Sequence, residues 1–349
     1  MALFSNLKSA NLKYAAAPVL GGLLLISIVF HTTLLNKISG ILKVLILCLG
    51  TVSLASGYLE FFSGTSFDFF FRLFRSGLLH WDFNNVLRVS GIFCDTNYMS
   101  NFFIFFIPFI FGFFILKSSG KAFYLYLALL TVSFQLLFLT YSRSNIFGLL
   151  LAFILFLVLL AIKKYFTSNI IKKTILVILI FIALYGYNFY FNKNFKERLK
   201  DSASEMLNSE RGKLQKAAIK MIFSSHFLGS GFAEFGWRVH NDPAYIFDGI
   251  NNGNSKNIIS PHSLYLGILQ ASGLAGLICF ILFIMAYFKR LFTEILQDNI
   301  ELCAIFIWLS AYLAAGVFGK EMYIIEDCIY FFLIVALGYI YSKKAEPRV

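Results

Sequence analysis

Nine long apolar runs decide what this chain can fold into. They lie near 15–35, 41–59, 98–116, 122–140, 145–162, 174–190, 263–288, 302–318 and 324–341. A helix needs roughly 20 predominantly apolar residues to cross the hydrocarbon of a bilayer, and most of these runs reach that length. Composition removes the soluble alternative. Hydrophobic residues make up 59% of the 349, charged residues only 14%, and Phe alone occurs 43 times; soluble domains average about 25% charged residues. The sequence therefore predicts an all-α polytopic membrane protein with about nine transmembrane helices and one long, partly helical external loop. The first run is too long for a signal-peptide core and lacks an A-x-A-like exit, so it reads as a permanent span. Cys48, Cys94, Cys279, Cys303 and Cys328 form no CxxC or CxxH spacing and read as small buried hydrophobes, not as metal or redox centres.

The net charge of +12 is read as membrane orientation, with no nucleic acid implied. Short basic loops stay in the cytoplasm. Lys117 with Lys121, the group Lys163, Lys164, Lys172 and Lys173, then Lys289 with Arg290, and the tail with Lys343, Lys344 and Arg348 agree with one another on strict alternation. The C-terminus is then cytoplasmic, and 60–97, the turn from Thr140 to Asn145 and the long 191–261 segment are external. Nine spans would put the N-terminus outside, whereas Lys8 and Lys13 favour inside, so sidedness there stays open. Three regions follow: an N-terminal bundle over 1–190, the large external loop 191–261, and the C-terminal helices over 262–349.

Chemistry concentrates on the external face. Ser260-Pro261-His262-Ser263 precedes the run starting at Leu264, with Ser260 as helix cap and Pro261 as first helical residue, so that His262 falls in the first turn. The positive end of the helix disfavours an imidazolium there and favours an anion nearby. This marks His262 as a neutral base, or else a structural histidine bonding the loop above it. Arg143 occupies a tight turn beside hydrocarbon, where charge is costly. Arg211 opens a helix over Ser209 to Phe223 with an apolar stripe of Leu214, Ala218, Met221 and Ile222, which runs on to Gly229-Ser230-Gly231-Phe232. Arg88 lies just ahead of the third span and reads equally as a headgroup anchor. Together the three arginines can grip a diphosphate through charge-assisted, bidentate bonds. Phe67 to Leu79 reads as a helix lying in the headgroup layer. No Walker loop, dinucleotide fingerprint, HExxH or DxD pair occurs in the external segments.

Four stretches, in order, resemble the O-antigen ligase and polymerase family of bacterial surface-glycan glycosyltransferases: Arg88-Val89-Ser90-Gly91-Ile92-Phe93 with Asp95-Thr96-Asn97; Leu139-Thr140-Tyr141-Ser142-Arg143-Ser144; Arg211 followed by Phe227-Leu228-Gly229-Ser230-Gly231-Phe232; and Ser260-Pro261-His262-Ser263-Leu264-Tyr265 followed by Gly273-Leu274-Ala275-Gly276. The likeness spans roughly 85–340. It departs from the family pattern at Ser263 (usually Asn), Phe227 (usually Pro) and Ser144 (often Gly).

The resemblance implies an inverting, metal- and nucleotide-independent transferase of the bacterial inner membrane that needs no cofactor. It would take a glycan from undecaprenyl diphosphate on the periplasmic side and attach it to a sugar hydroxyl. Carried over residue by residue, His262 is the catalytic base, Arg143 and Arg211 bind the diphosphate, and Arg88 is an additional diphosphate ligand. The implied partners are the lipid-linked donor, an acceptor on either a second lipid-linked repeat or the lipid A core, membrane lipids and a chain-length regulator. Polymerase is slightly favoured over ligase on the Arg88 to Asn97 stretch. A lipid-linked glycan flippase is the alternative from another class; it would call for polar groups at mid-membrane, where Gln135 is one of few.

Overall fold

Continuous apolar sequence forms helices because, away from water, only intrahelical bonding satisfies every backbone group within the segment. The computed structural model describes residues 32–63, 88–93, 96–162, 168–200, 210–231, 234–245, 261–296, 299–317, 319 and 325–344. These contain eleven α-helices and no strand. They are α1 Thr32–Ser63, α2 Thr96–Ile110, α3 Gly120–Leu139, α4 Arg143–Ile162, α5 Ser168–Phe191, α6 Lys193–Lys200, α7 Glu210–Ser224, α8 Glu234–Asn241, α9 Leu264–Leu296, α10 Glu301–Ala315 and α11 Ile325–Lys344. A π-helical turn, Phe111–Ile115, extends α2. Among the described residues, six helices are long and apolar enough to cross a membrane: α1, α2 with its π turn, α3, α4, α5 and α9. The all-α membrane architecture holds. The full set of nine spans is not among them, because the run near 15–35 lies for the most part outside the described residues. In addition, the 302–318 run ends as a helix at Ala315, where the chain turns and the Gly316 carbonyl accepts the Leu264 N–H at 2.8 Å. The expected surface helix over Phe67 to Leu79 also lies outside the described residues.

The described residues fall into two compact units, one drawn from Asp201–Thr293 and Ala315–Tyr339, the other from His31–Lys200, Glu294–Ala314 and Ile340–Val349. The second unit holds α1–α6. Its core is aromatic, with the fully buried Phe102, Phe103, Phe106, Phe111, Phe134, Phe138, Phe153 and Phe156 packed largely edge to face. That geometry adds roughly 0.5–1.5 kcal/mol per pair beyond area burial.

Cations and carbonyls tie one end of this unit. Glu301 accepts from Lys117 at 2.8 Å and Lys43 at 3.0 Å. Lys173, buried, donates to the carbonyls of Ile115, Leu116 and Ser118 at 2.9, 3.2 and 2.7 Å, closing the C-terminal carbonyls that the π turn leaves open. Since α2 ends here and α3 returns from here, the turn containing Arg143 lies at the opposite end. Lys117 and Lys173 therefore lie at the end of this unit opposite the Arg143 turn.

The other unit has its own core, built by Leu214, Ala217, Ala218 and Met221 of α7 against Phe235, Val239 and Tyr245. The stripe read from the sequence is the face that packs, and Ile222 is buried with it.

Candidate active site

In the unit of α1–α6, the site begins with a buried carboxylate. Glu60, 1% exposed near the end of α1, accepts the backbone N–H of Ser90 at 2.8 Å, that of Gly91 at 2.5 Å, and the Ser90 hydroxyl at 3.2 Å. Ser56 Oγ takes the next N–H, from Ile92, at 3.1 Å. Gly91 turns with φ +56°, and a Cβ there would meet Ser56 Oγ at 2.8 Å, so glycine is required by both conformation and space. Held this way, the strand-like start of the segment lies along the end of α3: the Val89 N–H reaches the Leu139 carbonyl at 3.3 Å, and Arg88 Nε donates to the Thr140 carbonyl at 2.9 Å. A guanidinium on the last carbonyls of a helix is favourably placed against its negative end. Arg88 therefore has a structural task, fixing the turn three residues before Arg143.

That turn is strained. Tyr141 has φ 53°, a conformation uncommon outside glycine. Its hydroxyl donates to Asn192 Oδ1 at 3.3 Å, and Asn192 Nδ2 donates back at 3.1 Å. Burial pushes the Tyr141 phenol above its ordinary value, against the opposing pull of Asn192, Asn194 and the Arg88 charge, so it remains a neutral donor at physiological pH. Arg143, half-buried, is the first residue of α4. A cation at a helix N-terminus works against the macrodipole by roughly 0.3–1 kcal/mol, so helix stability does not account for it. Below it, buried Asn145 donates through Nδ2 to Ser100 Oγ at 2.5 Å and Asn101 Oδ1 at 2.9 Å, which fixes the first turn of α4 on α2.

In the other unit, Arg211 is the second residue of α7 and exposed, again a cation in a first turn. The chain leaving α7 passes through two strained residues, His226 at φ 51° and Phe227 at φ 62°, and then through Gly229-Ser230-Gly231. This loop packs into a break in α9 at Gly273 (φ 71°, ψ −171°). The two glycine motifs are complementary. A Cβ on Gly229 would sit 2.6 Å from the Gly273 nitrogen, and one on Gly273 would sit 2.5 Å from the Phe227 oxygen and the Leu228 carbonyl carbon.

His262 sits differently from the sequence expectation. The expectation made Ser260 the cap and put His262 in the first helical turn. In the structure α9 starts at Leu264. Ser263 is the cap, with the Leu266 N–H directed at its Oγ at 3.5 Å and the Gly267 N–H bonded to its carbonyl at 2.8 Å. Ser260 lies outside the described residues. The reason is conformational: His262 is left-handed at φ 51°, and the Leu264 N–H is committed to Gly316, so helical geometry cannot extend back through it. The half-buried imidazole stands just before the helix mouth, held by a strained turn.

All four non-glycine residues with positive φ among the described residues, Tyr141, His226, Phe227 and His262, fall in motif turns. Strain of this kind persists where the surroundings over-determine a geometry, typically at active sites. The structure thus puts Arg88 beside the Arg143 turn in one unit, and Arg211 and His262 in the other. Sequence reading missed Glu60 and the capping role of Ser263. An acidic residue near the end of an apolar run was the available signal for Glu60.

A family model described as O-antigen ligase matches residues 127–281. Over this stretch the chain is similar to O-antigen ligases. The matched segment, just under half of the chain, contains Arg143, Arg211, His262 and both glycine motifs, and Arg88 lies ahead of it. No curated protein and no solved structure matches the chain.

Proposed function

We propose that the protein is an inverting glycosyltransferase that moves a glycan from undecaprenyl diphosphate to a sugar hydroxyl on the periplasmic face of the inner membrane, with its C-terminus cytoplasmic. The observation that carries this reading is the coincidence of strained turns with the family's motif positions, combined with two arginines in helix first turns, where amides and guanidinium groups favour the same anion. In this reaction His262 takes the proton from the acceptor hydroxyl as its oxygen attacks the anomeric carbon. The bond from that carbon to the diphosphate oxygen breaks on the opposite face, so the configuration inverts. The diphosphate leaves with the electron pair, its growing charge met by Arg143 and Arg211. A positioned base contributes roughly 10²–10⁴-fold, and preorganised cations stabilise the leaving group further. Arg88 acts alongside as an additional diphosphate ligand and holds the Arg143 turn. No cofactor enters this scheme.

Residues 1–190 and 262–349 then form the membrane parts and 191–261 the periplasmic loop. The acceptor is a second lipid-linked repeat, making the protein a polymerase, a reading that rests on the Arg88 to Asn97 stretch. The description of the matched model, O-antigen ligase, supports the second reading, in which the acceptor is the lipid A core. The test uses a deletion strain complemented with wild type, His262→Ala, Arg143→Ala or Arg211→Ala. Each variant is expected in the membrane but without surface glycan; a normal glycan ladder from any of them removes that residue from the mechanism. In the deletion strain itself, core carrying one repeat identifies a polymerase, and bare core with long lipid-linked chains identifies a ligase.

A further inference from the structure

α9 breaks within apolar sequence, and the depth of that break can be reckoned from its own residues. Arg290 stacks over the Tyr339 ring at 4.6 Å, an aromatic and cation pairing typical of a membrane boundary, and Lys289 adjoins it. Gly273 precedes Lys289 by about sixteen residues, roughly 24 Å of helix. The hydrocarbon core is about 30 Å thick, so the break lies inside the far leaflet, some 6 Å short of its boundary by the same reckoning.

Backbone at that depth must be bonded by protein, and here it is. The Ser230 N–H donates to the Gln270 carbonyl at 2.8 Å, the Gly231 N–H to the Ala271 carbonyl at 2.9 Å, and the Leu274 N–H to the Phe227 carbonyl at 2.9 Å. The fully buried Gln270 donates through Nε2 to Ser230 Oγ at 2.6 Å. The Ser224 and Ser225 hydroxyls return to the Met221 and Ile222 carbonyls at 3.0 and 3.1 Å. The outer side of this turn is apolar and uncovered: Leu228 is 83% exposed, Phe223 63% and Phe227 40%, beside the exposed Leu274 and Ile278 of α9. Phe223 and Phe227 stack edge to face at 5.3 Å. His226, exposed on the same turn, limits it to a shallow position near the headgroups.

We infer that His226–Gly231 is a re-entrant turn of the large loop, inserted into the outer-leaflet hydrocarbon, with Phe223, Phe227 and Leu228 packed against lipid acyl chains. It anchors α7, and so Arg211, at the depth of the broken helix. The inference concerns where the turn lies and stands whether or not the protein transfers glycans.

The test places Leu228→Cys in a background with the five native cysteines replaced by serine. The site is labelled with an environment-sensitive bimane and reconstituted in phosphatidylcholine–phosphatidylglycerol vesicles carrying nitroxides on acyl chains or on headgroups. Severalfold stronger quenching by acyl-chain nitroxide than at an exposed control, Lys216→Cys on α7, is expected, together with slow reaction with a membrane-impermeant maleimide. Equal quenching and equal maleimide rates at both positions would overturn the inference. Phe227→Cys carries the same readout if Leu228→Cys fails to fold.

Discussion

Gly273→Ala tests the central packing feature of the α9 unit. At φ 71° and ψ −171° the backbone lies in a region essentially reserved for glycine, where a side chain costs about 1–3 kcal/mol. The added Cβ would also stand 2.5 Å from the Leu228 carbonyl carbon, 2.5 Å from the Phe227 oxygen and 2.6 Å from the Leu228 oxygen. Every one of these is a main-chain atom, so no rotamer change relieves the contact, and overpacking adds about 1–3 kcal/mol. Displacing residues 227–228 further weakens the Leu274 N–H bond to Phe227, worth about 1 kcal/mol. The total is on the order of 3–7 kcal/mol. Apparent unfolding midpoints of purified protein in detergent would fall by many degrees. Gly186→Ala is the control: nothing lies within 4 Å of a Cβ there, and alanine in the middle of α5 should be neutral or gain roughly 0.5–1 kcal/mol. Gly229→Ala attacks the same contact from the loop (φ 87°), so the double variant should cost clearly less than the two single losses added together. An unchanged midpoint for Gly273→Ala, or full additivity with Gly229→Ala, would refute the interlock.

Glu60→Ala strands the Ser90 and Gly91 N–H groups in the interior at about 1–3 kcal/mol each. It should lower both thermal stability and glycan transfer, with Glu60→Gln recovering part of each because one acceptor oxygen remains. Lys173→Met leaves the Ile115, Leu116 and Ser118 carbonyls without their charged donor, at about 1.5–3 kcal/mol, and should lower the detergent midpoint without changing the sensitivity of transfer to His262→Ala. Glu301 supplies a pH dependence. Burial pushes its carboxyl upward, but the hydrogen bonds and charges of Lys117 and Lys43 outweigh that and hold it below the ordinary value. Its stabilising contribution is therefore fully present above its unfolded value of about 4.3 and is lost as pH falls through the lowered folded value. The midpoint gap between wild type and Glu301→Gln should be constant from neutral pH down to about 5 and close in stronger acid; a gap that grows on acidification would contradict the sign.

What the sequence determined by itself is what depends on neighbours along the chain. Helical bonds join residues four apart, so apolar runs such as Arg143–Ile162 and Ser168–Phe191 declare their helices without help. The α7 stripe likewise declares its buried face, and the order of short motifs pointed to the likeness that the family model finds over residues 127–281. The tertiary structure decided whatever rests on distant partners. Glu60 acquires its purpose from N–H groups 30 residues away. The cap of α9 moved from Ser260 to Ser263 because the Leu264 N–H is held by Gly316. The run through Gly273 reads as one unbroken span until the loop 227–231 is seen lodged in it, since a helix break is stable in apolar surroundings only when a remote segment takes over its unpaired backbone groups.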